Sequence, residues 1–204
     1  MKRRTLPRIL ILFLIAAASV LAFRTRIAVA VFAPTFAGET LHFPVVFRDY
    51  FRSKLIEDFE ADRRVNWWCP DPQAFNYGET SQKARSGTRS FRIEYTKSSP
   101  YQFIGADPIS PDLADFRGAQ SLQMWVYGQV SLLLKLEDPT YQVVDVGVLN
   151  ASDPQGWSLL QFDLSGLTQQ IDLSRVKLLF FPYPGDSTAN GSFFLDDLIL
   201  MGDS

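Results

Sequence analysis

The sequence is nearly without cysteine and histidine. Among its 204 residues there is one cysteine, Cys69, and one histidine, His42. A single cysteine cannot form an internal disulfide. A nucleophilic thiol or serine would need a nearby base, and the only histidine, His42, lies in the region that we interpret below as a spacer. The sequence also lacks a glycine-rich phosphate loop. Hydrolases with a Cys–His or Ser–His pair and phosphate-loop proteins are therefore disfavoured.

Acidic residues are missing from the first 26 positions, which carry six basic residues. The rest of the chain then has 14 basic and 22 acidic residues, a net charge of −8. Because phosphate binding requires a basic face, we expect no nucleic-acid partner. An uncharged apolar run from Ile9 to Phe23 follows the basic start, and this layout is typical of a secretory signal.

We assign residues 1–33 to a signal peptide or a membrane anchor. Val20-Leu21-Ala22 offers a small residue for cleavage, but a second apolar run, Ile27 to Ala33, follows two arginines. The first run is shorter than the ~20 residues that a spanning helix needs. An uncleaved anchor would therefore include the two arginines. Cleavage as a signal peptide and retention as a membrane anchor both stay open. In either case we expect an exported protein, periplasmic or extracellular, that is tethered to the inner membrane if the segment is kept.

Long helical periodicity is absent after residue 55, and short apolar runs separated by turn-forming residues replace it. We interpret residues 34–54 as a spacer and residues 55–204 as one all-β domain. Nine strands in about 150 residues favour a sandwich of two antiparallel sheets. The predicted strands are Leu55–Glu60, Ser90–Lys97, Tyr101–Ala106, Ser121–Tyr127, Ser131–Glu137, Val143–Leu149, Trp157–Asp163, Val176–Phe181 and Ser192–Met201.

Alternation within the strands separates a core face from an outer face. Leu122, Met124 and Val126 alternate with polar or aromatic residues, and Leu132, Leu134 and Leu136 do the same in the next strand. Aromatic rings can stack on a sugar while polar groups bond its hydroxyls, although packing is the stronger interpretation for Trp125. The residues that we predict to bind carbohydrate are Arg92, Gln123, Trp125, Tyr127, Lys135, Glu137 and Tyr183.

A second candidate for sugar binding is a set of aromatic loops. These contain Trp67 and Trp68, residues 75–77, Tyr101, and Tyr183 between two prolines. Adjacent residues of an extended segment point to opposite sides. One of the two tryptophans is therefore expected to anchor the loop and the other to be exposed.

Four motifs occur in a recognisable order: Ile56–Glu60, Arg85–Ile93, Leu122–Val126 and Phe194–Leu198. Together they resemble the galactose-binding-domain-like jelly rolls, in particular the carbohydrate-binding modules found beside bacterial glycoside hydrolases. The resemblance implies a jelly-roll β-sandwich over roughly residues 55–201. The resemblance says less about activity, because this fold hosts several kinds of function.

The resemblance also implies a structural calcium ion. Its ligands would be Glu60, Asp196 and backbone carbonyls near Ser86 and Gly87. Carboxylate and carbonyl oxygens suit calcium, and a buried Asp196 would otherwise be an unpaired charge. The alternative is that Asp196 accepts backbone N–H groups or pairs with a neighbouring arginine, Arg89 or Arg92.

The sequence thus favours an exported, non-catalytic, calcium-stabilised carbohydrate-binding module. The alternative is a structural or assembly module of the cell envelope that binds a protein partner on the same fold. Glycoside hydrolysis would need two carboxylates facing each other across a cleft. Acidic residues are available, but the strands carry no acid-rich motif, and we do not expect an enzyme.

Overall fold

A computed structural model of the chain describes residues 52–60 and 62–202. The predicted signal or anchor segment, with its hydrophobic helix, and most of the predicted spacer lie outside these described residues. Within them, no helix has both the length and the apolar character needed to cross a membrane.

Strands supply nearly all of the regular secondary structure of the described chain. The strands are β1 (Ser53–Glu57), β2 (Val65–Trp68), β3 (Phe75–Thr80), β4 (Ser90–Thr96), β5 (Ile104–Pro108), β6 (Ala119–Tyr127), β7 (Val130–Glu137), β8 (Val143–Ala151), β9 (Trp157–Asp163), β10 (Lys177–Pro182) and β11 (Asn190–Gly202). One short helix, α1 (Pro111–Ala114), and one 3-10 turn (Leu167–Gln169) lie between strands.

The strands form two antiparallel sheets. One sheet has the order β3-β4-β11-β6-β9, and β1 pairs with β11 beside this path. The other has the order β2-β5-β10-β7-β8. The prediction of a two-sheet all-β sandwich is confirmed.

The core lies between the sheets and follows the alternation of the strands. Leu122, Met124 and Val126 of β6 are fully buried, as are Leu132 and Leu134 of β7, while the residues between them are partly exposed. Burying a large apolar side chain contributes about 1.5–3 kcal/mol to folding. This face assignment agrees with the sequence prediction for both strands.

Two strands were interpreted as loops in the sequence. β2 has only four residues and pairs with β5, while β3 contains Gly78 and polar residues and pairs with β4. Short length conceals β2 and polar content conceals β3, and only the long-range pairing reveals them. The predicted strand at residue 101 instead begins at Ile104, because Tyr101 lies in the preceding turn and is 80% exposed.

The last strand, β11, pairs with three other strands of the six-stranded sheet. Its first half pairs with β4 and its second half with β1, while β6 runs along the other edge. The register shifts after Asp196, where Asp197 has a φ of 48°. The end of β1 and the start of β4 therefore meet near Asp196, and the loop before β4 lies there.

Candidate functional site

The predicted carbohydrate-binding residues do not share one face. Gln123, Trp125 and Tyr127 lie on β6 and Arg92 on β4, in the six-stranded sheet. The remaining strand residues, Lys135 and Glu137, lie on β7, in the five-stranded sheet. Outer faces of two packed sheets point in opposite directions. The single face expected from adjacent strands does not form, because the chain crosses between sheets at residues 128–129.

On the outer face of the six-stranded sheet, cationic side chains cover the aromatic rings. The guanidinium carbon of Arg85 lies 4.3 Å from the ring centre of Trp125, and Lys83 Nζ lies 4.8 Å from that of Tyr127. Both cations come from the loop between β3 and β4. Their positions over the rings leave less aromatic surface for a sugar to stack on.

The polar residues of this face are also paired among themselves. Gln123 Nε2 donates to Gln161 Oε1 at 3.1 Å. Arg92 donates to Glu94 across 2.5 Å. These groups form internal hydrogen bonds that a ligand would have to replace.

Tyr183 does not project from its loop. It is partly buried against the core, its ring centre lies 6.0 Å from that of Tyr95, and its hydroxyl donates to the Gln129 carbonyl at 3.3 Å. The prediction of Tyr183 as a loop aromatic that binds a sugar does not fit this packing against the core. The chain turns back at this point with Tyr183 at a φ of 44°, which directs the ring inward.

The outer face of the five-stranded sheet has a different aromatic surface, built first from Trp68. A Cβ added at Gly105 would lie 2.2 Å from Trp68 Cε2, so the indole lies directly on the backbone of β5. The indole Nε1 donates to Asp107 Oδ1 at 2.8 Å. The close approach and the hydrogen bond together fix the ring on the sheet, and the side chain is partly exposed.

Two phenylalanines adjoin Trp68 on this side of the sheet, Phe103 partly exposed and Phe181 only 9% exposed. Phe103 packs edge-on against Trp68 with ring centres 5.5 Å apart, and Phe181 lies 4.9 Å from Phe103. Lys135 Nζ lies 5.1 Å from the ring centre of Phe181 and covers this ring, as cations cover Trp125 and Tyr127 on the other sheet. We call Trp68, Phe103 and Phe181 the aromatic face.

Charged pairs border the aromatic face. Lys135 pairs with Asp145 at 2.8 Å, and Lys177 pairs with Glu137 at 2.9 Å. The hydrogen bond from Lys177 to Glu137 raises the pKa of the lysine above its ordinary value. Flat apolar rings bordered by side chains that donate and accept hydrogen bonds are the chemistry that a pyranose ring requires.

Sequence reasoning placed Trp68 in a loop and did not single out Phe103 or Phe181. Every residue of β10 after Lys177 is apolar, so alternation cannot show which side faces out. The register supplies that information, because Leu179 pairs with Gly105 and Lys135, both on the outer face. The expected division between the two tryptophans is observed, with Trp67 buried and Trp68 partly exposed.

The residues predicted to bind calcium surround the loop before β4. Glu60 Oε1 accepts from the backbone N–H groups of Thr88 and Arg89, both at 2.7 Å, and its Oε2 accepts from Thr88 Oγ1 at 3.0 Å. The N–H groups lower the pKa of Glu60. Gly87, at a φ of 58°, has no room for a Cβ beside this carboxylate.

Asp196 holds the same loop from the opposite side. It is fully buried, its Oδ2 accepts from the N–H groups of Arg85 and Ser86 at 2.7 and 3.3 Å, and its Oδ1 accepts from Asp197 N. Burial raises the pKa of Asp196, although the N–H donors oppose this effect. Asp196 thus accepts from backbone N–H groups, which was the predicted alternative to a metal ion.

These carboxylates fit a calcium ion poorly. A carboxylate has about four lone-pair positions, and three are already used on both Glu60 and Asp196. Calcium takes 6–8 oxygen ligands. In the described part of the chain, no group of three or more histidine, cysteine, aspartate or glutamate side chains is arranged to hold a metal ion. Calcium binding stays a prediction from the resemblance.

The fold is similar to that of solved carbohydrate-binding modules. The CBM22-1 xylan-binding domain of Paenibacillus barcinonensis Xyn10C has a TM-score of 0.53 at 17% identity, covering 74% of this chain and 97% of that one. The family 11 module of the cellulase Lic26A-Cel5E of Clostridium thermocellum has a TM-score of 0.52 at 15% identity, covering 74% and 95%. A family 29 module has a TM-score of 0.50 at 13% identity, covering 72% and 90%.

No protein-family model matches the sequence, and no curated protein matches it significantly. The structural similarity therefore establishes the fold. The two-sheet sandwich is a jelly roll of the carbohydrate-binding-module type, as the sequence motifs predicted.

Proposed function

We propose that this protein is a non-catalytic module that binds a glycan chain on the aromatic face of the five-stranded sheet. The observation that carries the proposal is the position of Trp68, which lies on the backbone at Gly105 and is fixed by Asp107. A ring held in this way stacks on a sugar with little loss of side-chain entropy on binding. The jelly-roll fold shared with carbohydrate-binding modules supports the proposal.

The proposed ligand is an extended chain of pyranose rings. The aromatic face runs across neighbouring strands, from Trp68 on the edge strand β2 to Phe181 on β10. The partly exposed rings of Trp68 and Phe103 offer contacts for neighbouring sugars. Sugar hydroxyls would exchange with the hydrogen bonds of the charged pairs beside them. This proposal replaces the seven-residue site predicted from the sequence and keeps Lys135 and Glu137 from it.

The carboxylates of this face support binding rather than hydrolysis. Asp107 accepts from Trp68, Glu137 pairs with Lys177, and Asp145 pairs with Lys135. A glycosidase needs one carboxyl group as a proton donor and a second as nucleophile or base. Each of these carboxylates already accepts a hydrogen bond from a neighbouring side chain. We therefore propose that they orient a ligand and do not act as proton donor, nucleophile or base.

The proposal includes export, which comes from the sequence alone. The basic start and the apolar run of residues 1–33 would direct the chain out of the cytoplasm. Kept as an anchor, the segment would place the glycan-binding domain at the membrane surface. Cleaved, it would release the domain.

A direct test is affinity electrophoresis of the full chain through gels that contain xylan, mixed-linkage β-glucan, glucomannan or no polysaccharide. The proposal expects retardation by at least one polysaccharide, and titration with its oligosaccharides then gives the Kd. Uniform mobility in all gels would contradict it.

One observation favours a protein partner as the alternative. The edge strand β8 exposes Val143 (45%) and Val148 (49%), and Tyr141 just before it is 78% exposed. An unpaired strand edge can accept an extended segment from another protein. In that case, charge substitutions at Val143 and Val148 would abolish partner binding and leave the retardation by polysaccharide, measured relative to the same variant in the gel without polysaccharide, unchanged.

A further inference from the structure

Three charged side chains cross the five-stranded sheet from Trp68 toward the turn between β7 and β8. Asp107 on β5 accepts from Trp68, and Lys177 on β10 pairs with Glu137 on β7 at 2.9 Å. Hydrogen bonding to Glu137 raises the pKa of Lys177, burial opposes this effect, and the nearby carboxylate of Asp107 raises the pKa further. Lys177 therefore lies between two acids. We call Asp107, Lys177 and Glu137 the polar row.

The polar row lies on the outer face of the sheet. The chain neighbours of its members are fully buried in the core: Ala106, Leu178 and Leu136. Because side chains alternate along a strand, the polar row points away from the core, to the same side as Trp68. The side chains of Lys177 and Glu137 are 38% and 17% exposed, so sugar hydroxyls can reach them.

Tyr141 lies at the far end of the polar row, in the turn between β7 and β8. Its ring centre is 5.8 Å from Lys177 Nζ, close to the outer limit of a cation–π contact. Its side chain is 78% exposed, so the lysine leaves most of the ring uncovered. Tyr141 therefore offers an aromatic surface beside hydrogen-bonding groups, as Trp68 does at the other end.

A nearly buried carboxylate holds the turn that carries Tyr141. Asp138 is 5% exposed, and its Oδ1 accepts from Thr140 Oγ1, Thr140 N and Gln142 N at 2.7, 2.8 and 3.0 Å. Its Oδ2 accepts from Asp172 N at 3.3 Å. The Thr140 hydroxyl and these N–H groups lower the pKa of Asp138, so the carboxylate is charged near neutral pH. The backbone on both sides of Tyr141 is thus ordered before a ligand binds, which reduces the entropy lost on binding.

The backbone at Tyr141 is in a conformation that suits other residues better. Its φ is 66°, in the left-handed region where glycine and asparagine are favoured and a bulky residue is an outlier. Stability alone would therefore favour a smaller residue here. Such strain persists mainly where the residue serves a function, and the exposed ring is the part of Tyr141 that can serve one.

We propose that Tyr141 is a second sugar-stacking residue, and that a glycan chain lies along the polar row from Trp68 to Tyr141. The inference rests on the proposed function and adds the direction of the bound chain and its minimum length. Three strand spacings of about 4.8 Å, about 14 Å in total, separate β2 from β7. A chain of several sugars contacts both rings, whereas a disaccharide contacts only one. The site is therefore selective for long chains that cross the strands.

The test measures how affinity depends on ligand length, with the full chain labelled with ¹⁵N and kept in micelles of a detergent without sugar groups. Xylobiose, cellobiose, mannobiose and the corresponding hexasaccharides are titrated separately. Binding is followed through the indole N–H signal of Trp68, which is identified as the signal absent from Trp68→Phe.

Tyr141→Asn removes the ring and places at this φ a residue that tolerates it, so the turn is retained. It should raise the Kd for the hexasaccharide that binds wild type by about fivefold or more. It should leave the Kd for the disaccharide unchanged. Tyr141→Phe keeps the ring, serves as the matched control, and should bind the hexasaccharide as wild type does.

An unchanged hexasaccharide Kd in Tyr141→Asn, or equal weakening for the disaccharide and the hexasaccharide, would overturn the inference. The proposed function is judged separately by Trp68→Ala in affinity electrophoresis. Loss of retardation in Trp68→Ala together with an unchanged hexasaccharide Kd in Tyr141→Asn would reject only the role of Tyr141. No shift of the wild-type Trp68 signal with any of the six probes would contradict both.

Discussion

Trp68 and Asp107 are joined across β2 and β5 by a hydrogen bond of 2.8 Å from the indole Nε1 to the carboxylate. The bond fixes the rotation of the ring on the sheet, and the ring is the largest flat surface of the proposed glycan site. Asp107 thereby fixes the orientation of the Trp68 ring within the aromatic face. This relationship leads to the first two predictions.

Removing the acceptor should loosen the ring and weaken glycan binding. Asp107→Ala is expected to raise the Kd for the bound oligosaccharide about twofold to tenfold, because one hydrogen bond contributes about 0.5–1.5 kcal/mol. Asp107→Asn keeps a side-chain oxygen and serves as the matched control. Isothermal titration of both variants checks this, and equal Kd values for the two would contradict it.

Adding one methyl group beneath the ring should have a larger effect. In Gly105→Ala the new Cβ would lie 2.2 Å from Trp68, so the indole must leave the sheet surface. We expect about tenfold weaker glycan binding, with a small change in stability because the ring swings toward solvent. Gly78→Ala is the control, since a Cβ there meets no atom within 4 Å. A loss of affinity in both variants would indicate a general effect of glycine replacement.

The stability that Glu60 provides should depend on pH. Its pKa is lowered in the folded state by the N–H groups of Arg89 and Thr88. A carboxyl group with a lowered folded-state pKa stabilises the protein above its unfolded-state pKa, and the stabilisation is lost as pH falls through the folded-state value. Wild type should therefore unfold at a higher temperature than Glu60→Gln at pH 7, and the difference should shrink below about pH 4. A difference that is constant from pH 7 to pH 3 would contradict this.

Chelation separates the two interpretations of Glu60 and Asp196. Because backbone N–H groups already occupy both carboxylates, we expect the thermal unfolding midpoint to be the same in calcium and in excess chelator. A bound ion would stabilise the native state by mass action. A midpoint that falls on chelation and recovers with calcium but not magnesium would instead establish the calcium site that the motifs imply.

The sequence predicted the class of fold because alternation is a local signal. Leu122, Met124 and Val126 mark the buried side of β6 unambiguously, and the same pattern repeats in β7. The sequence did not reveal that these strands belong to different sheets. That information lies in the pairing of β6 with β11 and of β7 with β10, which join residues distant in the chain.

The candidate site was harder to predict for the same reason. Trp68 stood out as an aromatic residue, but its role depends on Gly105 and Asp107, which reach it only through the pairing of β2 with β5. Phe181 was hidden within the uniformly apolar strand β10. The two acids beside the loop before β4 lie in short motifs that are visible in the sequence, whereas their hydrogen-bond partners depend on the conformation of that loop.

The central claim is that glycan binds on the outer face of the five-stranded sheet. The most direct test compares Trp68→Ala with Trp125→Ala, which removes the same side chain from the outer face of the other sheet. In affinity electrophoresis with the polysaccharide that retards wild type, Trp68→Ala should lose retardation, since truncating a central aromatic contact costs about 2 kcal/mol or more, about thirtyfold in Kd. Trp125→Ala should keep wild-type mobility. Retardation kept by Trp68→Ala and lost by Trp125→Ala would contradict the account and place the site on the six-stranded sheet.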